Sequence, residues 1–486
     1  MRVCLLAFIV ICAGACAAQN ETQLGNAGLR VATEDGAFDF NMTTAVQFRF
    51  TYHDVRAESG NGGQNGADFN NFRNVGVRSF LTGHLFAREF QYRLWLAWGG
   101  PGPGFRVEDC FLRWAPIALF NITVGQERVP ASWEYLVDHE RTGLSDRAIA
   151  DEAFSQGWGK GVSISGRAEL WDNGTDPALL TWQVGLYNGV LASADGSQGR
   201  GMITNRGVQV TEQGRTEHFG GGFRNNDVNV NAENFGQLVD GQMMVAARVE
   251  FHPMGEVVRH MVDLGALEDT GAWFFMVGLA ANWMSARVNG AGTFLDNIYY
   301  GESNFSGTTL PPPASDRKRV DASIVHLTAD GHFRWIGFSL NWALHFRRIN
   351  FSSTGRLGEA NLASDKALVH GAEDYGVTID AAYFILRDAL MVGARFSLVE
   401  FDDFKSRQPL TGAQVDGDAF GADSYEYGGG VTWFIKGDNL KLSLDYRVVT
   451  QQLPHGRSRS GALSATQRIS DWRNVHEVRV QLQWIF

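Results

Sequence analysis

Eight arginines stand on the polar faces of segments that read as β-strands: Arg49, Arg78, Arg93, Arg248, Arg347, Arg395, Arg447 and Arg479. A guanidinium is planar and permanently charged, and its paired N–H donors match carboxylate and phosphate oxygens. Set along one face of a sheet, such side chains would contact a passing anion. Carboxylates share those faces at Asp39, Glu250, Asp321, Asp380, Asp445 and Glu477. Two chemistries are therefore open: the arginines bind a mobile anion, or they neutralise these acids and stiffen the wall. Catalysis finds no support. His84, His326, His345 and His476 lie on strand segments, His53, His139, His218, His370 and His455 lie between them, and none is placed with a serine and an acid as a nucleophilic centre needs. No Cys/His spacing fits a metal, so neither metal nor cofactor is expected. The acidic loop stretches at 60–68 and 402–403 read as flexible polar loops rather than calcium ligands. The glycine- and proline-rich stretch 99–104 reads as a turn, because no helix follows to present its N-terminus to a phosphate.

What must position the arginines is a series of alternating strands. Phe338, Leu340, Trp342, Leu344 and Phe346 oppose Ser339, Asn341, His345 and Arg347; Leu440, Leu442, Leu444 and Tyr446 oppose Lys441, Ser443, Asp445 and Arg447. Period-two alternation gives a strand one apolar and one polar face. Sixteen such segments are expected, at roughly 37–52, 73–86, 89–98, 105–115, 119–126, 157–167, 179–188, 241–251, 273–287, 319–333, 336–349, 374–385, 389–400, 425–435, 439–450 and 474–486. Short connections alternate with long ones rich in Gly, Asn, Asp and Ser. The stretches 168–178 and 252–272 are long for their side, which leaves eighteen strands as a second count. Trp and Tyr gather near strand ends, as at Trp95, Trp98, Trp114, Trp335, Trp433 and Trp484, where amphipathic rings meet lipid headgroups. The last strand ends Gln483-Trp484-Ile485-Phe486. A free C-terminal Phe on such a strand is similar to the closing strand of bacterial outer-membrane β-barrels, where it signals insertion. The fold expected is an all-β transmembrane antiparallel barrel with short periplasmic turns and long external loops. The competing reading is the edge strand of a soluble sandwich.

Bulk properties agree with the barrel. Mean hydropathy is −0.17 over 486 residues and no Pro/Ser linker divides the chain. Outside the N-terminus no apolar run is long enough to span a membrane as a helix. A net charge of −11 argues against a nucleic-acid partner. Arg2, the apolar run Val3–Ile11 and the small residues Ala15-Cys16-Ala17 read as a cleaved signal peptide over 1–18, with a lipoprotein at Cys16 as the rival reading. Cys4, Cys12 and Cys16 lie in that segment, so only Cys110 remains in a mature chain, and it reads as a small apolar residue.

The stretch from Val124 to Gly166 is the most specific in the chain. It carries Val124-Gly125-Gln126, then Arg128 and Pro130, a polar loop ending in Asp146-Arg147, then Ala153-Phe154 and Gly161-Val162. With Phe80-Leu81-Thr82-Gly83, Glu108–Leu112 and Ala247–Phe251, it resembles the phosphate-selective porin O/P family. The resemblance implies a homotrimeric 16-stranded porin whose third external loop folds inward, here over 127–156, and adds Arg128 and Arg147 to the candidate anion contacts. Trp133, Leu136 and Val137 give that loop an apolar stripe of the kind a loop packed on the lumen wall needs; the alternative is a loop folded over the mouth. Scarce lysine and the loop acids Glu134, Asp138, Glu140, Asp146, Asp151 and Glu152 depart from a strongly phosphate-selective pattern. The function expected is passive diffusion of small hydrophilic solutes with a modest anion preference. A general or sugar-type porin, or a closed structural or adhesive barrel using the loop 189–240, are the alternatives. The partners expected are outer-membrane lipid, lipopolysaccharide and the barrel-assembly machinery, the last through the strand ending at Phe486.

Overall fold

A computed structural model of the chain describes residues 20–25, 28–57, 68–98, 105–154, 157–172, 177–188, 208–212, 215–219, 243–255, 273–288, 320–351, 372–387, 389–400, 406–407, 414–415, 423–452 and 472–486. The expected signal segment, most of loop 189–240, the stretches 99–104 and 402–403, and the turn beyond residue 255 lie outside them. Two short strands come first, β1 (Asn20–Gly25) and β2 (Gly28–Thr33). They precede β3 (Phe38–Ala57), β4 (Asp68–Leu85), β5 (Ala87–Trp98), β6 (Phe105–Ile117), β7 (Phe120–Arg128), β8 (Trp158–Asp172) and β9 (Pro177–Asn188). A separate two-stranded hairpin, β10 (Val208–Glu212) and β11 (Arg215–Phe219), leads to β12 (Met243–His252), β13 (Phe274–Val288), β14 (Val320–Trp335), β15 (Phe338–Phe351), β16 (Ala372–Leu386) and β17 (Leu390–Glu400). A second separate pair, β18 (Ser406–Arg407) and β19 (Gln414–Val415), leads to β20 (Ser424–Lys436), β21 (Leu440–Gln452) and β22 (Trp472–Ile485).

Sixteen of these strands, β3–β9, β12–β17 and β20–β22, form one closed antiparallel ring, as their alternation requires. The seam joins β22 to β3 from Arg473↔Ala57 to Ile485↔Ala45. Phe486 then exchanges two backbone bonds with Thr44, at 2.8 and 2.9 Å. The tight turns obey local backbone chemistry: between β14 and β15, Ile336 and Gly337 both take positive φ (45° and 80°), the two-residue geometry that matches strand twist. The long connection expected at 168–178 is instead strand at both ends, since β8 runs to Asp172 and β9 begins at Pro177.

The β1–β2 hairpin has no counterpart among the strands expected from the sequence. Its strands pair with each other, and β2 pairs with β3 from Leu29↔Met42 to Ala32↔Asp39. Counted with the hairpin the sheet has eighteen strands, but the ring closes with sixteen.

Burial is inverted relative to a water-soluble fold. Gln47, Thr328, Ser397, Asp445 and Gln483 are buried inside, while Leu279, Leu344 and Leu444 are half exposed outside. A barrel with an apolar exterior and a polar interior is suited to lipid. Trp114, Trp171, Trp335, Trp433 and Trp484 ring the short-turn end, and Tyr52, Tyr375, Tyr427 and Tyr446 stand toward the other, all exposed. Among the described residues no helix is long and apolar enough to cross a membrane.

Candidate functional site

After β7 the chain turns inward and Val129–Phe154 lies across the lumen. Locally it is a run of short pieces: a helical turn at Trp133–Leu136, a 3₁₀ turn at His139–Arg141 and a helix at Ile149–Phe154. Ser132 caps the first, its Oγ accepting from the Tyr135 amide at 3.2 Å. Two apolar contacts seat the loop. Trp133 and Val137 pack on Phe274, Met276, Phe384, Met391 and Phe434, and Ile149, Ala150, Ala153 and Phe154 pack on Val399, Val449 and Val475. Leu136, the third residue of the expected stripe, remains partly exposed.

Polar anchors fix the register of this seating. Lumen acids and hydroxyls accept loop amides: Trp133 donates to Asp330 (3.2 Å), Ser145 to Asp445 (2.8 Å), Ile149 to Glu426 (2.9 Å) and Ala150 to Ser397 (3.1 Å). On β21, Lys441 donates to the carbonyls of Glu140 (2.6 Å) and Thr142 (3.3 Å). The sequence marks Asp445 and Lys441 as inward-facing, but none of these pairings is visible in it, because a loop amide leaves no trace in the composition of its acceptor.

All ten candidate arginines lie inside the barrel: eight on the strand walls, Arg128 at the end of β7 and Arg147 in the loop. Most of them serve the loop. Arg49 grips Asp146 with both terminal nitrogens (2.8 and 2.9 Å), and Arg479 binds the same carboxylate. Arg78 pairs with Glu140 (3.0 Å), Arg93 with Asp109 (3.0 Å) and Arg128 with Asp138 (3.2 Å). Arg395 bridges Asp380 (2.6 Å) and Glu134 (3.0 Å). Arg248 pairs with Asp330 (2.6 Å) and Glu250 (2.7 Å) and donates to the Ala131 carbonyl. Arg347 pairs with Asp374 (2.8 Å) and lies over Phe154, and Arg447 pairs with Glu477 (2.5 Å). Arg147 donates to the Val137 carbonyl (2.7 Å) and contacts His139 Nε2 (3.0 Å). Several pairs face each other directly across adjacent strands, as Arg347↔Asp374, Asp380↔Arg395 and Arg447↔Glu477 do. Buried charges persist where they are paired and hydrogen-bonded in this way.

The loop's own acids split into two electrostatic classes. Burial alone would raise Asp146, but Arg49, Arg479 and Arg447 overcome it and hold the carboxyl well below the usual carboxylate range. Glu134 goes the other way: burial, then the neighbouring Asp151 in hydrogen-bond contact, push it well above its ordinary value despite Arg395. Burial also raises Asp151. His139 is driven well down by burial and by Arg147, which fits a neutral ring whose Nε2 accepts a hydrogen bond from the Arg147 guanidinium.

The wall of β5 and β6 near the short turns differs. There Arg113, absent from the candidates that strand patterning marks, shares the inward face with Phe111, and its Nε donates to Thr123 Oγ1 at 3.0 Å. The signal that could have found it is parity: residues 111 and 113 lie two and four positions from Asp109, a carboxylate that binds Arg93 on the lumen face. Cys110 lies on the opposite face and keeps its thiol.

No family model matches the chain, and no curated protein is similar to it in sequence. Solved structures of similar form exist. An anion-selective porin from Comamonas acidovorans is 10% identical, with 92% of this chain and 100% of that one covered and a TM-score of 0.47. The outer membrane channel DcaP of Acinetobacter baumannii is 10% identical, with 94% and 99% covered and a TM-score of 0.47. OmpT, an outer membrane protein of Vibrio cholerae in trimer form, is 10% identical, with 92% and 99% covered and a TM-score of 0.43. Likenesses this distant say nothing of activity, which has to come from the geometry of the chain itself.

Proposed function

We propose that this chain is an outer-membrane porin through which small hydrophilic solutes diffuse passively, narrowed by the inward loop Val129–Phe154. The observation that carries the reading is the inverted barrel, apolar outside and polar inside, with a loop bound across its lumen rather than over its mouth. Size exclusion falls to that loop. A modest anion preference falls to lumen guanidiniums. Because nine of the ten candidate arginines hold a carboxylate within 4 Å, the preference rests on the residual field of the paired ones and on Arg113. Residues 1–18 act as a cleaved export signal, Phe486 presents the last strand to the assembly machinery, and three copies associate in the lipid.

Planar bilayers containing the purified protein test this. Discrete conductance steps are expected, with a reversal potential in a KCl gradient displaced toward chloride. Absence of steps refutes the pore, and a displacement toward potassium refutes the anion preference.

A further inference from the structure

At the short-turn end, a cavity of about 820 Å³ opens between the β2 edge and the inward faces of β4, β5 and β6. Four guanidiniums line it, those of Arg30, Arg88, Arg93 and Arg113, against the carboxylates of Glu34 and Asp39. Asp39 is already held by Arg30, whose Nε and Nη2 donate to its two oxygens at 3.2 and 3.1 Å. Arg93 is held by Asp109. Arg113 is different. Thr123 fixes its Nε, its guanidinium carbon sits 5.1 Å from the Phe111 ring centre, and among the described residues no carboxylate lies within 4 Å of it. Its terminal nitrogens are thus oriented and free of a direct ion pair, with the Glu127 and Asp109 carboxylates acting on them only from beyond that distance. A planar fork held in that way suits two oxygens of one carboxylate.

The cavity is far larger than an inorganic ion and falls in the range of organic-ligand sites, roughly 300–1,000 Å³. Phe111 and Phe38 give it apolar wall beside the charge. An inorganic anion would leave that wall unused. We propose that this basin binds a small organic carboxylate with a flat apolar body, the carboxylate on Arg113 and the body against Phe111. The proposal deepens the porin reading, since the basin sits at one mouth of the lumen and would retain or select such solutes there.

Benzoate is the probe. Titrated calorimetrically into the detergent-solubilised full-length protein, it is expected to bind saturably at one site per chain. Arg113→Gln weakens that binding about tenfold or more, the scale of one lost charge-assisted contact. Phe111→Ala weakens benzoate severalfold and leaves acetate unchanged. Arg113→Lys, which keeps the charge and loses the fork, falls between. Each variant is checked for the shift in gel migration that separates folded from heated barrels. Equal benzoate affinity in Arg113→Gln overturns the proposal, as does inorganic phosphate binding as tightly as benzoate. Calorimetry needs no conductance, so the two readings fail separately: a sealed barrel that binds benzoate refutes the pore alone, and a conducting one that does not refutes the basin alone.

Discussion

Replacing Asp146 with Asn should unseat the loop. Asp146 is the single carboxylate under two arginines from the two strands that close the ring, Arg49 of β3 and Arg479 of β22. Removing one partner of a buried ion pair costs about 3–5 kcal/mol. Two features reduce that here. The Asp146 side chain is 30% exposed, and Arg49 keeps Gln481 Oε1 at 2.6 Å and the Ser145 carbonyl at 2.8 Å. About 2–3 kcal/mol remains, which at about 1.36 kcal/mol per tenfold shifts the seated-to-unseated ratio of the loop by roughly 30- to 160-fold. The lumen also loses one negative charge beside two cations. Single-channel recording should show larger, noisier steps and a reversal potential moved toward chloride. Acidification should not mimic the change in the usual carboxylate range. Asp146 has a depressed folded pKa, so its contribution is complete above the ordinary carboxylate value and is lost only as pH falls through the lower folded one. A folded Asp146→Asn protein with unaltered conductance and selectivity would refute the claim that this pair seats the loop.

Further outcomes are open to the same instruments. Glu134 has a raised folded pKa, so its stabilisation is present below its ordinary value and is lost as pH rises through the folded one; open-channel noise should grow on alkalinisation, and Glu134→Gln, which mimics the protonated acid, should abolish that growth. Trp133→Ala empties the apolar seat on Phe274, Phe384 and Phe434, costing about 3–5 kcal/mol, and should raise conductance at every pH. Deleting Phe486 removes both backbone bonds to Thr44; the fraction of protein reaching the heat-resistant folded form in membranes should fall, and an unchanged fraction would count against its role in assembly.

Most of the ring strands are legible because they follow one simple rule, and Leu440 to Tyr446 shows it without exception. The β1–β2 hairpin is not, since six residues such as Gly28–Thr33 give too few repeats of the pattern to separate from loop. The inward arginines are also legible from parity. What they bind is not: Arg49 and Asp146 lie far apart in the chain, and only the path of Val129–Phe154 brings them together. The apolar stripe foretells Trp133 and Val137 at the wall, while the polar anchors Asp330, Glu426 and Lys441 depend on which strand passes beneath which loop amide. Arg113 escapes notice because, beside Phe111, its strand lacks the clean division of polar from apolar that marks the others.

The β1–β2 hairpin sets a gauge for the seam. It already occupies β3 at residues 39–42, so β22 finds a free edge only from Thr44 onward. A closing strand that slid two residues toward the short turns would drive Phe486 into Met42, whose partner is Leu29. A slip of an even number of residues keeps every side chain on its proper face and so escapes the hydrophobic check on register. The hairpin supplies the missing check as a physical end-stop. It thereby fixes the stagger of the whole cylinder, and with it the width of the space the loop must cross.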